Sequence, residues 1–222
     1  LTTHCAVFRS ASVGTAPTAL TAIPDDILTR ATPERFLVPS DYRFLRWTWA
    51  FNATIASARL LAASMEVARD MRHLLVGTTA SDLNQWQFIE LYDPAIPLSP
   101  TEELGATMSA ATAGTAGILV FALGPETLPE PPPGRRQIVR CTGTTTLVAN
   151  AWTTVDVTPE IALEPGTYAL VDFYPASATA IAARALIPGQ AWRPGKIAHH
   201  GGTDIQVLRS IGLMRRLFPK YN

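Results

Sequence analysis

The residue types that could do chemistry are few, and their spacing suits little of it. Histidine occurs at His4, His73, His199 and His200. None belongs to a His-Glu-x-x-His pair, and no Asp-x-Asp calcium loop occurs. His199-His200, followed by Gly201-Gly202 and Asp204, offers metal-ligand types, but adjacent histidines in a glycine-flanked loop read as solvated. There is no Gly-x-Ser-x-Gly elbow and no lysine-bearing phosphate loop, and Gly114-Thr-Ala-Gly117 reads as a turn. The acidic groups are Asp25-Asp26, Glu102-Glu103 and Asp156/Glu160/Glu164. Glycoside hydrolysis needs two carboxylates across a cleft. Here Asp25-Asp26, after Pro24 and before Ile27-Leu28, fits helix-start charge, and Glu102-Glu103 fits a loop before a strand. Cys5 and Cys141 match no metal or redox spacing and read as free, buried thiols. Trp47 and Trp49 share a strand face, as stacking rings on a lectin would, yet Phe51 continues the series and favours core packing. The sequence therefore predicts no catalytic residue, no cofactor, no metal site and no enzyme.

The elements that hold these residues are short and β-rich. The chain has 222 residues, 47% hydrophobic and 16% charged, with eighteen basic and eighteen acidic residues. That is enough for one sizeable core, and neither disorder nor a strongly basic nucleic-acid binder fits it. No apolar run is long enough for a membrane-spanning helix. Eighteen Pro and fourteen Gly punctuate the chain and disfavour a long-helix bundle. Residues 1–40 read as an N-terminal arm lying over the main domain. Residues 41–195 carry the β pattern: Tyr42–Phe51, Trp86–Tyr92 ended by Asp93-Pro94, and Gly117–Leu123 bounded by Gly124-Pro125. Stretches beginning at Arg136, Trp152, Thr167 and Thr179 complete the series. Residues 53–73 lean towards helix by composition but sit between strands, and strands are expected there. The Pro-rich 125–134 reads as an inter-strand loop, since 135–195 alone holds too few strands for a core. The expected fold is all-β, a jelly-roll-like antiparallel β-sandwich with extended N-terminal and C-terminal arms. Trp47 or Trp49, Phe121, Leu147, Trp152, Tyr168 and Ile181 are its expected core.

Residues 196–222 have a different period. Ile205, Leu208, Ile211 and Leu217 fall near helical spacing, with Arg209, Arg215, Arg216 and Lys220 between them. From 193 onwards six basic residues stand against Asp204, so a neutral chain has a basic end. Lysine occurs only at Lys196 and Lys220; the other cations are arginine, which suits planar contacts at interfaces and is equally what a GC-rich coding genome would give. The tail reads as a terminal helix docking on its own domain, as a contact to a neighbouring subunit, or as a contact to nucleic acid or a membrane; Arg209, Arg215, Arg216 and Lys220 are the expected contacts to a neighbouring subunit or to nucleic acid.

Three stretches carry a resemblance: Cys141-Thr-Gly-Thr-Thr-Thr-Leu-Val-Ala-Asn-Ala-Trp-Thr-Thr154, Glu164-Pro-Gly-Thr-Tyr168 and Ile187-Pro-Gly-Gln-Ala-Trp-Arg-Pro-Gly195. They resemble the jelly-roll capsid proteins of small icosahedral viruses and phages, mainly over residues 136–195. The resemblance implies a capsid subunit of a virion that self-assembles into an icosahedral shell. Its partners would be copies of itself, other capsid proteins, and packaged nucleic acid through the C-terminal tail. The alternative is a β-sandwich carbohydrate-binding or host-attachment module.

Overall fold

The computed structural model describes residues 3–68, 73–74, 90–126, 139–170, 173, 175, 177 and 182–197. The first part of the chain forms β1 (His4–Val13), β2 (Thr18–Ala19), β3 (Thr21–Ala22), β4 (Arg30–Thr32), β5 (Arg35–Leu37), β6 (Phe44–Phe51) and β7 (Ile55–Leu61). A short helix α1 (Ala63–Ala68) follows, then β8 (His73–Leu74), β9 (Glu90–Pro97), β10 (Glu103–Ala110) and β11 (Thr115–Gly124). Beyond these lie β12 (Cys141–Thr142), β13 (Thr158–Pro159), β14 (Ala182–Arg184) and β15 (Gly195–Ile197). The fold is an all-β sandwich. One sheet runs β3-β1-β11-β6-β9 and the other β4-β5-β10-β7-β8, with β2 also on β10.

The pairing has a simple logic. β1 pairs with β11, β5 with β10, β6 with β9 and β7 with β8, all antiparallel. These are the rungs of one long hairpin ribbon closed at the β7–β8 end. Two further pairings, β11 with β6 and β10 with β7, fold that ribbon over itself into facing sheets. Leu20, between β2 and β3, is fully buried and donates its amide to Ala106 O at 2.9 Å, tying the two sheets at one margin.

Alternation decides what each face holds. Ala6, Phe8, Leu119, Phe121 and Leu123 point between the sheets and meet Phe36, Leu60, Leu104 and Met108. Phe8 packs edge-on against both Phe36 and Phe121, with centroids 5.3 and 5.4 Å apart. Gly117 allows β11 to pass close to its neighbours, because a Cβ there would run into Val13 Cγ2. The other face of β1, β11 and β6 carries a second cluster of Cys5, Trp49, Ile118 and Val120. Trp47 and Phe51 flank it, half-buried.

Several expectations change here. Residues 1–40 are no arm at their start, because β1 is a fully paired interior strand. Trp47, Trp49 and Phe51 do share a face, but not the one between the sheets. A register shift beside Arg46 puts Leu45 into the core and turns the tryptophans outward. The strand expected to stop at Asp93-Pro94 continues to Pro97. Residues 53–73 supply β7 and then α1, whose start is held by Glu102: its carboxylate accepts from the Ser64 amide at 2.9 Å.

The largest departure concerns the second half. Among the described residues the strands of the two large sheets end at Gly124, before the Pro-rich stretch, and residues 141–170 lie outside those sheets. β12 and β13 pair over two residue pairs only, Cys141↔Pro159 and Thr142↔Thr158. Leu147 and Tyr168 are exposed, at 36% and 54%, and Trp152 is half-buried, so none of the three belongs to the core. Their residue types favour strands, but among the described residues no second sheet covers them. Ile181 lies outside the described residues. Cys5 and Cys141 are free thiols; Cys5 is buried, whereas Cys141 is exposed because its strand lies in this outlying segment.

Candidate functional site

Chemistry-bearing side chains converge at one place, the start of β1. His4 enters there on the core-facing side of the strand and is fully buried. The loop after Pro24 brings Asp25 beneath it, because the Ile27 and Leu28 amides donate to Asp25 Oδ1 at 2.7 and 2.9 Å and fix the turn. No helix begins at Asp25-Asp26, so the expected helix-start role is replaced by this turn. The far end of the chain then returns. Gly195 donates to Thr3 O at 2.7 Å, and β14 presents Arg184. Gly195 lies so close to β1 that a Cβ would sit 2.5 Å from Cys5 Sγ.

The result is a buried ionic clasp. His4 Nε2 lies 3.1 Å from Asp25 Oδ2, and Arg184 Nη1 donates to the same oxygen at 2.7 Å. Arg184 Nη2 reaches Asp26 at 3.1 Å, and Arg193 Nη2 meets Asp26 at 3.3 Å. The Asp25 and Arg184 side chains are 1% and 5% exposed. Aromatic rings wall the clasp: Trp192 packs edge-on to His4 and stacks on Tyr42 with centroids 3.9 Å apart. The Trp192 indole donates to Asp41 at 3.0 Å, and the Arg184 guanidinium lies 3.7 Å from the Trp152 ring centre. Burial alone pushes the Asp25 carboxyl up, but His4, the Leu28 amide and Arg184 stabilise the carboxylate more, and its pKa lies below the usual value. The Tyr42 hydroxyl is pushed up, by burial first and then by Asp41.

A histidine beside an aspartate has the parts of a general base. Here the dyad is sealed: His4 is fully buried, and its Nδ1 has no hydrogen-bond partner. The cluster sets two carboxylates, Asp25 and Asp26, against two guanidiniums, Arg184 and Arg193. Its chemistry is fastening. It joins β1, the 24–28 turn and the β14–β15 hairpin, residues that no local pattern connects.

The second feature is the flap, residues 139–170, attached to the clasp through Trp152. Among the described residues, every large apolar side chain left exposed lies between Leu147 and Leu186. Val148, Val157 and Ile161 are 61, 60 and 63% exposed. Asp156, Glu160 and Glu164 are exposed on the same segment. Among the described residues the sandwich exposes no such side chain, and the uncovered apolar surface described lies on the flap and the adjoining hairpin.

Arg209, Arg215, Arg216 and Lys220 lie outside the described residues, as do His199 and His200. Among the described residues no cluster of three or more His, Cys, Asp or Glu could hold a metal ion. No helix there is long and apolar enough to cross a membrane. Reading the sequence missed His4 and Arg184. The usable signal was the Asp25-Asp26 pair set just before Ile27-Leu28, of which Leu28 folds into the core. No protein-family model, no curated protein and no solved structure matches the chain.

Proposed function

We propose that the chain is a structural subunit of a virion, built on a jelly roll and assembling with copies of itself into an icosahedral shell. The observation that carries this reading is the pairing order. Counting β1, β5, β6, β7, β8, β9, β10 and β11 as eight strands, first pairs with eighth, second with seventh, third with sixth and fourth with fifth. A ribbon so paired and rolled once is a double Greek-key sandwich, an architecture that capsid subunits and lectins use. The jelly roll then spans residues 4–124 rather than 41–195.

Exposed surface favours assembly over the lectin-like alternative. A sugar platform on Trp47 and Trp49 needs free ring faces, yet Trp49 is buried and stacked against Phe51 with centroids 6.2 Å apart. A flap of exposed Leu, Val and Ile is instead what a neighbour covers. In this reading the partners are copies of the chain, other capsid proteins, and nucleic acid met by the basic C-terminal end. No catalytic step is assigned. Negative-stain imaging of the purified chain tests the proposal. Large, regular particles support it, and a stable monomer with sugar affinity would overturn it.

A further inference from the structure

We propose that the flap, residues 139–170, is the seat for the basic C-terminal stretch, residues 205–220, of a neighbouring copy of this chain. The inference rests on the assembly reading above and names the surface through which assembly occurs. Exposure comes first. Val148, Val157, Ile161 and Tyr168 remain more than half exposed, so no described part of the chain covers them. The flap is also one platform rather than two loose limbs. Its limbs pair at Cys141↔Pro159 and Thr142↔Thr158, and Gly143 lies so close that a Cβ would be 2.7 Å from Asp156 O.

Charge then selects the occupant. Asp156, Glu160 and Glu164 recur every four residues along one limb, all exposed. Among the described residues only Glu160 of the three meets a cation, Arg140 at 3.5 Å, with 71% and 57% of the Arg140 and Glu160 side chains exposed. A pair so exposed is weak and readily exchanged. Over the whole chain, residues 1–192 carry twelve basic and seventeen acidic residues, while 193–222 carry six basic and one acidic. The complementary surface is therefore the chain's own end, where Ile205, Leu208, Ile211 and Leu217 alternate with Arg209, Arg215 and Arg216. A short amphipathic segment of this kind is marginal alone in water and needs a surface. The flap offers apolar side chains and carboxylates together, which matches that segment in both respects.

A charge-exchange experiment in the full chain tests this. One variant carries Asp156→Lys, Glu160→Lys and Glu164→Lys; the other carries Arg209→Glu, Arg215→Glu and Arg216→Glu. All flap positions are exposed, and unchanged circular dichroism checks the fold of both variants. Sedimentation velocity is expected to show each variant alone losing the assembled species, and an equimolar mixture of the two regaining it. Two variants that each assemble like the parent would overturn the inference while leaving the assembly reading intact. So would a tail variant that forms the same particles with less nucleic acid, since the tail would then serve nucleic acid. A parent chain that stays monomeric would defeat the assembly reading itself.

Discussion

At Asp25 two opposing effects meet, and the residue scale of this protein turns on which wins. Burial raises the carboxyl pKa; the hydrogen bond and charge from His4, the Leu28 amide and Arg184 lower it further than burial raises it. A carboxylate whose folded pKa lies below its unfolded one adds stability above the unfolded value of about 3.9. That stability is lost as pH falls through the folded value. Melting temperatures measured from neutral to acid pH are therefore expected to fall more steeply for the parent than for Asp25→Asn; parallel curves would remove Asp25 from the clasp. Arg184→Ala leaves Asp25 buried without its guanidinium, and we expect a cost of about 3–5 kcal/mol in chemical denaturation. A cost near zero would mean the hairpin is held by other contacts. Little of this was legible in the sequence. Arg184 lies 159 residues from Asp25, and only the return of β14 and β15 beside β1 brings them together. Trp152 shows the same limit. It is a half-buried ring beneath Arg184. Truncation to Ala is expected to cost about 1–2 kcal/mol, the range of a partly desolvated cation–π contact, and not the cost of a core residue.

Among the elements, β11 holds the sandwich together, since it pairs with β1 on one side and β6 on the other. Phe121 on β11 is fully buried against Phe8. Phe121→Ala is expected to destabilise by about 3–5 kcal/mol, read from urea midpoints, and a loss under about 1 kcal/mol would misplace this strand in the core. β11 was also the most legible element. A continuous apolar run between Gly117 and Gly124-Pro125 has few other readings. β1 was less so, because its apolar residues are interrupted by Arg9, Ser10 and Ser12, and it gains its place from pairing with a distant strand. The phase of β6 was hidden by the shift at Arg46, whose guanidinium donates to the Pro125 and Glu126 carbonyls and anchors the exit from β11. The flap misled for another reason. Thr142, Thr144, Thr145, Val148, Val155 and Val157 have strand propensity, but propensity measures fit to a half-buried pleated surface and cannot supply the opposing sheet. Composition there suited an exposed segment as readily as it suited a core.

As a whole molecule the chain divides its labour. Among the described residues the sandwich exposes none of its large apolar side chains, while the flap, fastened to it by the clasp, displays them beside carboxylates. In the proposed assembly, zero net charge with this display would favour association, and an acidic flap set apart from a basic end would give it a direction. Contacts made through exposed charges are screened, so assembly through the flap is expected to weaken between low and high ionic strength. Contacts to nucleic acid phosphates would weaken still more steeply. The direct test is the size of the purified, nuclease-treated full chain, followed by sedimentation velocity over a range of concentrations and imaged by negative stain. Closed particles of uniform diameter, containing many copies, are the predicted result; a species that remains a single chain at every concentration would contradict it.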